Sequence, residues 1–136
     1  MKDLELYRIA ENARKNAYAP FSGFRVGAAL LTTDGRVYTG VNVENSSYGA
    51  TICAERTAFV KAVSEGERSF EAIAISAGEE PSMPCGICRQ FMFEFAPQIR
   101  VITLPPAGGD PEDGLQVKRL EELLPDGFRL ETGQST

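Results

Sequence analysis

The chain has 136 residues, 43% of them hydrophobic, with no histidine and no tryptophan, a length that suits one compact domain over residues 1–136. Without histidine there is no Ser-His-Asp triad, no Cys-His dyad and no His-ligated metal or haem, so chemistry must rest on cysteine, carboxylates, hydroxyls, amides or a cofactor. The net charge of -5 divides into seven acids against three bases in residues 104–136 and twelve against eleven before them, which leaves no basic face for a polynucleotide.

Leu6, Ile9, Ala10, Ala13 and Ala17 recur at helical spacing with Asp3 and Glu5 ahead of them, predicting an amphipathic first helix that ends near Tyr18. Charged residues interrupt this start, which lacks the uninterrupted apolar core of a secretory signal, and no run reaches transmembrane length; a cytoplasmic, non-membrane protein is expected. Residues 26–32 and 37–43 read as strands joined by an Asp34-Gly35 hairpin turn. A polar loop at 44–48 precedes a helix at 52–64, in which Ala54, Ala58 and Ala62 stand four apart and permit close packing. A strand at 70–77, a loop at 79–84, a helix at 85–95 and a strand at 99–103 follow. The order β-β-α-β-α-β implies an α/β sheet covered on both faces. Residues 105–114, P-P-A-G-G-D-P-E-D-G, can bury little and are expected to form a flexible acidic loop. A short edge strand at 115–119, one helical turn at 120–124 stopped by Pro125, and a frayed end at 132–136 complete the reading.

Three cysteines, an odd number, in a chain expected to be cytoplasmic favour a metal or a reactive thiol over a disulfide framework. They stand in T-I-C-A-E-R, at Cys53, and P-C-G-I-C-R-Q, at Cys85 and Cys88, and each motif follows a loop and opens a helix, where the positive dipole end favours thiolate. Taken singly, a C-x-x-C can be a redox pair, a lone cysteine is usually core, and an Arg or Glu on a helix is usually solvated. Together the three thiolates make a zinc site one ligand short of a closed tetrahedron, with the fourth position free for water. Glu55, two residues past Cys53, can take a proton from that water without ligating the metal. Zinc with three thiolates carries net -1, so guanidinium groups bonded to the thiolates would help; Arg56 and Arg89 are the candidates.

Cys53-Ala54-Glu55 with Pro84-Cys85-Gly86-Ile87-Cys88 is the all-Cys version of the signature carried by zinc deaminases. More closely, the chain resembles the small homotetrameric cytidine deaminases. The matching stretches are A-Y-A-P-F-S-G-F-R-V-G-A-A-L at 17–30, G-V-N-V-E-N-S-S-Y at 40–48, C-A-E-R-T-A at 53–58, P-C-G-I-C-R-Q at 84–90 and L-L-P-D-G-F at 123–128. The resemblance implies a three-layer α/β/α fold with a mixed five-stranded sheet, one zinc per chain on Cys53, Cys85 and Cys88, and hydrolysis of cytidine and 2'-deoxycytidine to the uridines with release of ammonia. It also implies that Glu55 moves the protons, that Asn42 and Glu44 hold the ribose hydroxyls, and that Phe24 packs on the pyrimidine. The Ala54 backbone is expected near the base, Phe128 in a neighbouring subunit's site, and Tyr48 at a subunit contact.

Two departures stand out. Phe21 occupies a position where many relatives have Tyr, and the 108–114 loop is longer than usual, which loosens the alignment to Phe128. Two rival readings are a blasticidin-type aminonucleoside deaminase, against which Asn42 with Glu44 argues, and a non-catalytic zinc-stabilised interaction module, which leaves Glu55 unexplained.

Overall fold

A computed structural model describes residues 1–132. Helix α1 (Asp3–Ala13) carries Asp3 and Glu5 in its first turn, at the positive end of its dipole, and buries Leu6, Tyr7, Ala10 and Ala13. It stops before Tyr18 and passes through a 3-10 turn at Arg14–Asn16. The reason lies far along the chain: the Tyr18 N–H donates to the Asn42 carbonyl at 3.0 Å and its carbonyl accepts from the Glu44 N–H at 2.8 Å, so its backbone is committed to a parallel bridge with Val43.

Strands β1 (Gly27–Thr32) and β2 (Val37–Val41) form the expected hairpin, with Gly35 at φ 91° in the turn. Helix α2 (Ala54–Ser64), strand β3 (Phe70–Ser76), helix α3 (Gly86–Phe93) and strand β4 (Arg100–Thr103) follow, then edge strand β5 (Gln116–Arg119) and the single turn α4 (Leu120–Leu123). The sheet order is β2-β1-β3-β4-β5. Only β3 and β4 pair in parallel; the other three pairings are antiparallel, so the five-stranded sheet is mixed.

The strands have two buried faces, and the side-chain period of two divides their residues between two cores. Ala28 and Leu30 of β1 and Ile73 and Ile75 of β3 pack with Ala54, Ala58, Phe59 and Ala62 of α2 and Met92 of α3. The intervening Ala29, Leu31, Ala72 and Ala74, joined by Ile102, pack with Leu6, Tyr7 and Ala10 of α1. One helix therefore covers one face and two cover the other, the three-layer α/β/α arrangement.

The helix read from residue 52 starts later, because Ile52 is still extended: its N–H donates to the Val43 carbonyl at 3.0 Å and its carbonyl accepts from Val43 at 2.9 Å. Residues 105–114 remain largely exposed but carry local order, a 3-10 turn at Pro111–Asp113 capped by the Asp110 carboxylate on the Glu112 N–H at 2.9 Å. Arg8 stands 3.8 Å from both Asp110 and Glu112. Of the end read as frayed, residues 133–136 lie outside the described span.

Helix α2 lies almost directly on β2. A Cβ at Gly40 would fall 2.4 Å from both the Ala54 carbonyl oxygen and the Ala58 nitrogen, backbone atoms that cannot swing away. Gly40→Ala is expected to push the first turns of α2 off the sheet at a cost of about 1–3 kcal/mol, read as a lower midpoint in thermal melting.

Candidate metal centre

Both helices on the second face begin with a cysteine. Cys53 is the N-cap of α2, with extended φ -75° and ψ 156°, and Cys85 is the N-cap of α3, with φ -69° and ψ 171°. Their carbonyls open the helices by accepting from Thr57 at 3.1 Å and Arg89 at 2.9 Å, and neither thiol is spent on capping. Cys88 sits in the first turn of α3, fully buried, whereas Cys53 is half-buried and Cys85 exposed. The helices start at one end of the sheet, and their positive ends converge on the thiols.

The three Sγ atoms all lie within 4.8 Å of one another. Two thiols that close share protons. The Cys88 thiol bonded to Cys53, aided by the Arg56 guanidinium and opposed by burial, lowers Cys53 to about 5. That same bond, with burial, raises Cys88 far above the ordinary thiol range. A cation resolves this conflict by replacing the protons. The donor set fits zinc, which takes thiolates at about 2.3 Å in a tetrahedron, and three cysteines already this close satisfy all but one of its positions.

Arg56 reaches a thiol: its Nη2 donates to the Thr51 carbonyl at 3.2 Å and to the Cys53 sulfur at 3.7 Å. Arg89 does not. Its Nε donates to the Pro84 carbonyl at 2.7 Å and its Nη1 to the Leu123 carbonyl at 2.7 Å, because at i+4 from Cys85 the side chain runs back along α3 toward the backbone entering the helix. It holds the segment that delivers Cys85 and ties it to α4.

A pocket of about 200 Å³ opens beside the thiols. It is lined by Cys53, Ala54, Glu55 and Cys85 from the two helix starts, Thr51 and Ile52 ahead of α2, Phe24, Val26 and Asn42 from the β1–β2 side, and Ser82 and Met83 from the loop before Cys85. Glu55 is 5% exposed, and burial pushes its carboxyl up to about 7. A group poised there holds a proton and releases it near neutrality.

Of the residues assigned to substrate, Phe24, Asn42 and Ala54 line this pocket. The Asn42 amide is part of the wall: its Oδ1 accepts from the Val26 N–H at 2.9 Å and its Nδ2 donates to the Phe24 carbonyl at 2.7 Å. Glu44 lies off the pocket lining and grips the preceding turn, accepting from the Phe21 and Ser22 N–H groups at 2.9 and 3.1 Å and from the Ser22 hydroxyl, which lowers its carboxyl below the ordinary range. Phe128, 61% exposed, is outside the pocket, its carbonyl accepting from Gln90 Nε2 at 2.8 Å. Tyr48 is 79% exposed and meets Phe21 edge-on at 6.1 Å. Ser82 and Met83 were not read as site residues; the signal was their place directly ahead of Pro84-Cys85.

Two helix starts that deliver thiols to one point, with a carboxyl kept dry beside them, are the construction of the zinc-dependent deaminases. The family model for the cytidine and deoxycytidylate deaminase zinc-binding region matches residues 1–104. A cytidine deaminase of Sporosarcina psychrophila is 50% identical over 128 residues, 93% of this chain and 91% of that protein. Another, of Halalkalibacterium halodurans, is 49% identical over 127 residues, 93% of each chain. The crystal structure of cytidine deaminase from Burkholderia pseudomallei superposes with a TM-score of 0.84 at 44% identity, covering 94% of this chain and all of that one. The chain belongs to the cytidine deaminase family, and its thiol cluster lies inside the family's zinc-binding region.

Proposed function

We propose that the chain is a single-domain enzyme that hydrolyses cytidine and 2'-deoxycytidine to the corresponding uridines, releasing ammonia, with one zinc ion held by Cys53, Cys85 and Cys88. The observation that carries this reading is Glu55: a buried carboxyl lining the same pocket as two of the three thiols. A structural zinc site has no use for such a group, and burying it costs stability.

Bound to the three thiolates, zinc supplies Lewis acidity that brings the ionisation of a water toward neutral pH. Glu55 takes a proton from the attacking water and delivers it to ring N3 as the oxygen adds to C4. Glu55 then carries the second proton to the amine at C4, which leaves as ammonia, so that water and cytidine become uridine and ammonia. Arg56 donates to the Cys53 sulfur and offsets the charge gathered by three thiolates. Phe24 packs on the ring, the Ala54 backbone borders it, and Asn42 and Glu44 take the ribose hydroxyls. For Glu44 this requires sharing the carboxylate with the Ser22 turn.

The pocket beside the thiols is partly open to solvent, which supports a wall supplied from outside the chain. We assign that wall to Phe128 of a neighbouring copy in a homotetramer, with Tyr48 at a subunit contact; both are large apolar residues left exposed. Among the described residues no helix is long and apolar enough to cross a membrane. Thiols needed as zinc ligands suit the reducing cytoplasm, where the enzyme is placed, acting on free nucleosides rather than nucleic acid.

The test is loss of ultraviolet absorbance when zinc-loaded protein meets cytidine and, separately, 2'-deoxycytidine. Turnover of both is expected, and Asn42→Ala should raise KM more than it lowers kcat. One zinc per chain with no turnover of either nucleoside would overturn the reading.

A further inference from the structure

A depression of about 670 Å³ lies where the parallel strands β3 and β4 begin, at the end of the sheet away from the thiols. Four arginines from four parts of the chain line it: Arg68 ahead of β3, Arg100 opening β4, Arg119 closing β5 and Arg129 beyond α4. Three carboxylates stand against them: Glu71 in the wall, Asp3 bonded to Arg100 at 2.8 Å, and Glu122, which accepts from the Arg119 N–H at 2.8 Å. The arginines still outnumber these acids by one, in a chain of net charge -5.

This convergence is costly to the fold. Arg100 and Arg119 are direct partners across the β4–β5 ladder, so their side chains share one face, and like charges placed opposite each other in an antiparallel pair are destabilising. Asp3 compensates Arg100 alone. Arg119 Nη1 donates to the Gln98 carbonyl at 2.8 Å, and Arg68 Nη1 to the Val63 and Glu67 carbonyls at 2.9 and 2.8 Å. Those bonds fix the guanidinium planes without neutralising them, and each fork has five N–H donors. Arg129 joins none of the ion pairs among the described residues.

We propose that this depression is a binding site for a phosphate chain, a di- or triphosphate, either free or carried by a nucleotide. Planar forks fixed by backbone carbonyls match phosphate oxygens two at a time. The paired Arg100 and Arg119 ask for an anion of more than one charge, and four donors spread around so wide a depression suit a chain of phosphates better than one. Within one chain the depression shares no lining residue with the nucleoside pocket, and the proposal does not rest on the reaction placed there.

The experiment is calorimetric titration of the zinc-loaded protein with inorganic tripolyphosphate and, in parallel, with adenosine triphosphate, zinc content being measured afterwards to confirm that no metal was stripped. One anion per chain is expected. Equal affinities would assign recognition to the phosphates alone, and tighter nucleotide binding would add the base; both support the site. Arg119→Gln should weaken binding about tenfold, the loss of one charged hydrogen-bonding partner, and should not lower the melting point, because it relieves the Arg100 pairing. Arg129→Gln should weaken it similarly, while Lys15→Gln, outside the depression, should not. Absence of binding by both anions, or equal weakening by Lys15→Gln and Arg119→Gln, would overturn the proposal.

Discussion

Glu55→Gln is expected to leave the fold and the metal in place and to lower kcat by about 10² to 10⁴-fold, the usual contribution of a positioned proton carrier. The amide keeps the size and most of the hydrogen bonding of the carboxyl, so the pocket beside Cys53 and Cys85 retains its shape. What it removes is the capacity to accept a proton from water and return it to the ring and the amine. Because the carboxyl is 5% exposed and pushed up to about 7 by burial, no bulk water stands ready to replace it. The readings are kcat, zinc per chain and melting temperature of one preparation. Near-normal turnover with zinc intact would remove Glu55 from the mechanism; loss of zinc would show that the residue builds the site.

The zinc motifs were legible because they are local. C-A-E and P-C-G-I-C put each thiol at a helix start, and the spacing puts Glu55 in the first turn of the helix that Cys53 opens. The sheet was legible for a related reason: residues 28–31 and 72–75 are unbroken apolar runs, and two buried faces follow from the helices between the later strands. What escaped was decided by contacts distant in sequence. Arg89 looks like a charge beside a cysteine, yet its partners are set by the arrival of Leu123, thirty-four residues on. Glu44 looks like a strand-end companion to Asn42, and its bonds to the turn at Phe21–Ser22, more than twenty residues earlier, form only when the two segments meet. The facing of Arg100 and Arg119 exists only once β5 pairs with β4, and no pattern within either segment announces it.

Removing zinc should cost both activity and stability, and the two losses should follow one metal titration. Chelation at neutral pH is expected to abolish turnover and to lower the melting point by about 10 °C or more, since the free energy of metal binding is also folding free energy. The structural reason is that α2 and α3 meet at their N-terminal ends through these thiols, and without the ion a buried Cys88 and a half-buried Cys53 are left to share protons. Each thiol must lose its proton to ligate, so the affinity for zinc should fall as pH is lowered. The three ligands should also differ. Cys88→Ala takes away the buried sulfur and opens a hole between the helices, so it should lower the melting point more than Cys85→Ala, whose side chain is exposed. Both should be inactive. Metal analysis with melting curves across the set checks the ordering, and full activity in either variant would mean that the ion is held elsewhere.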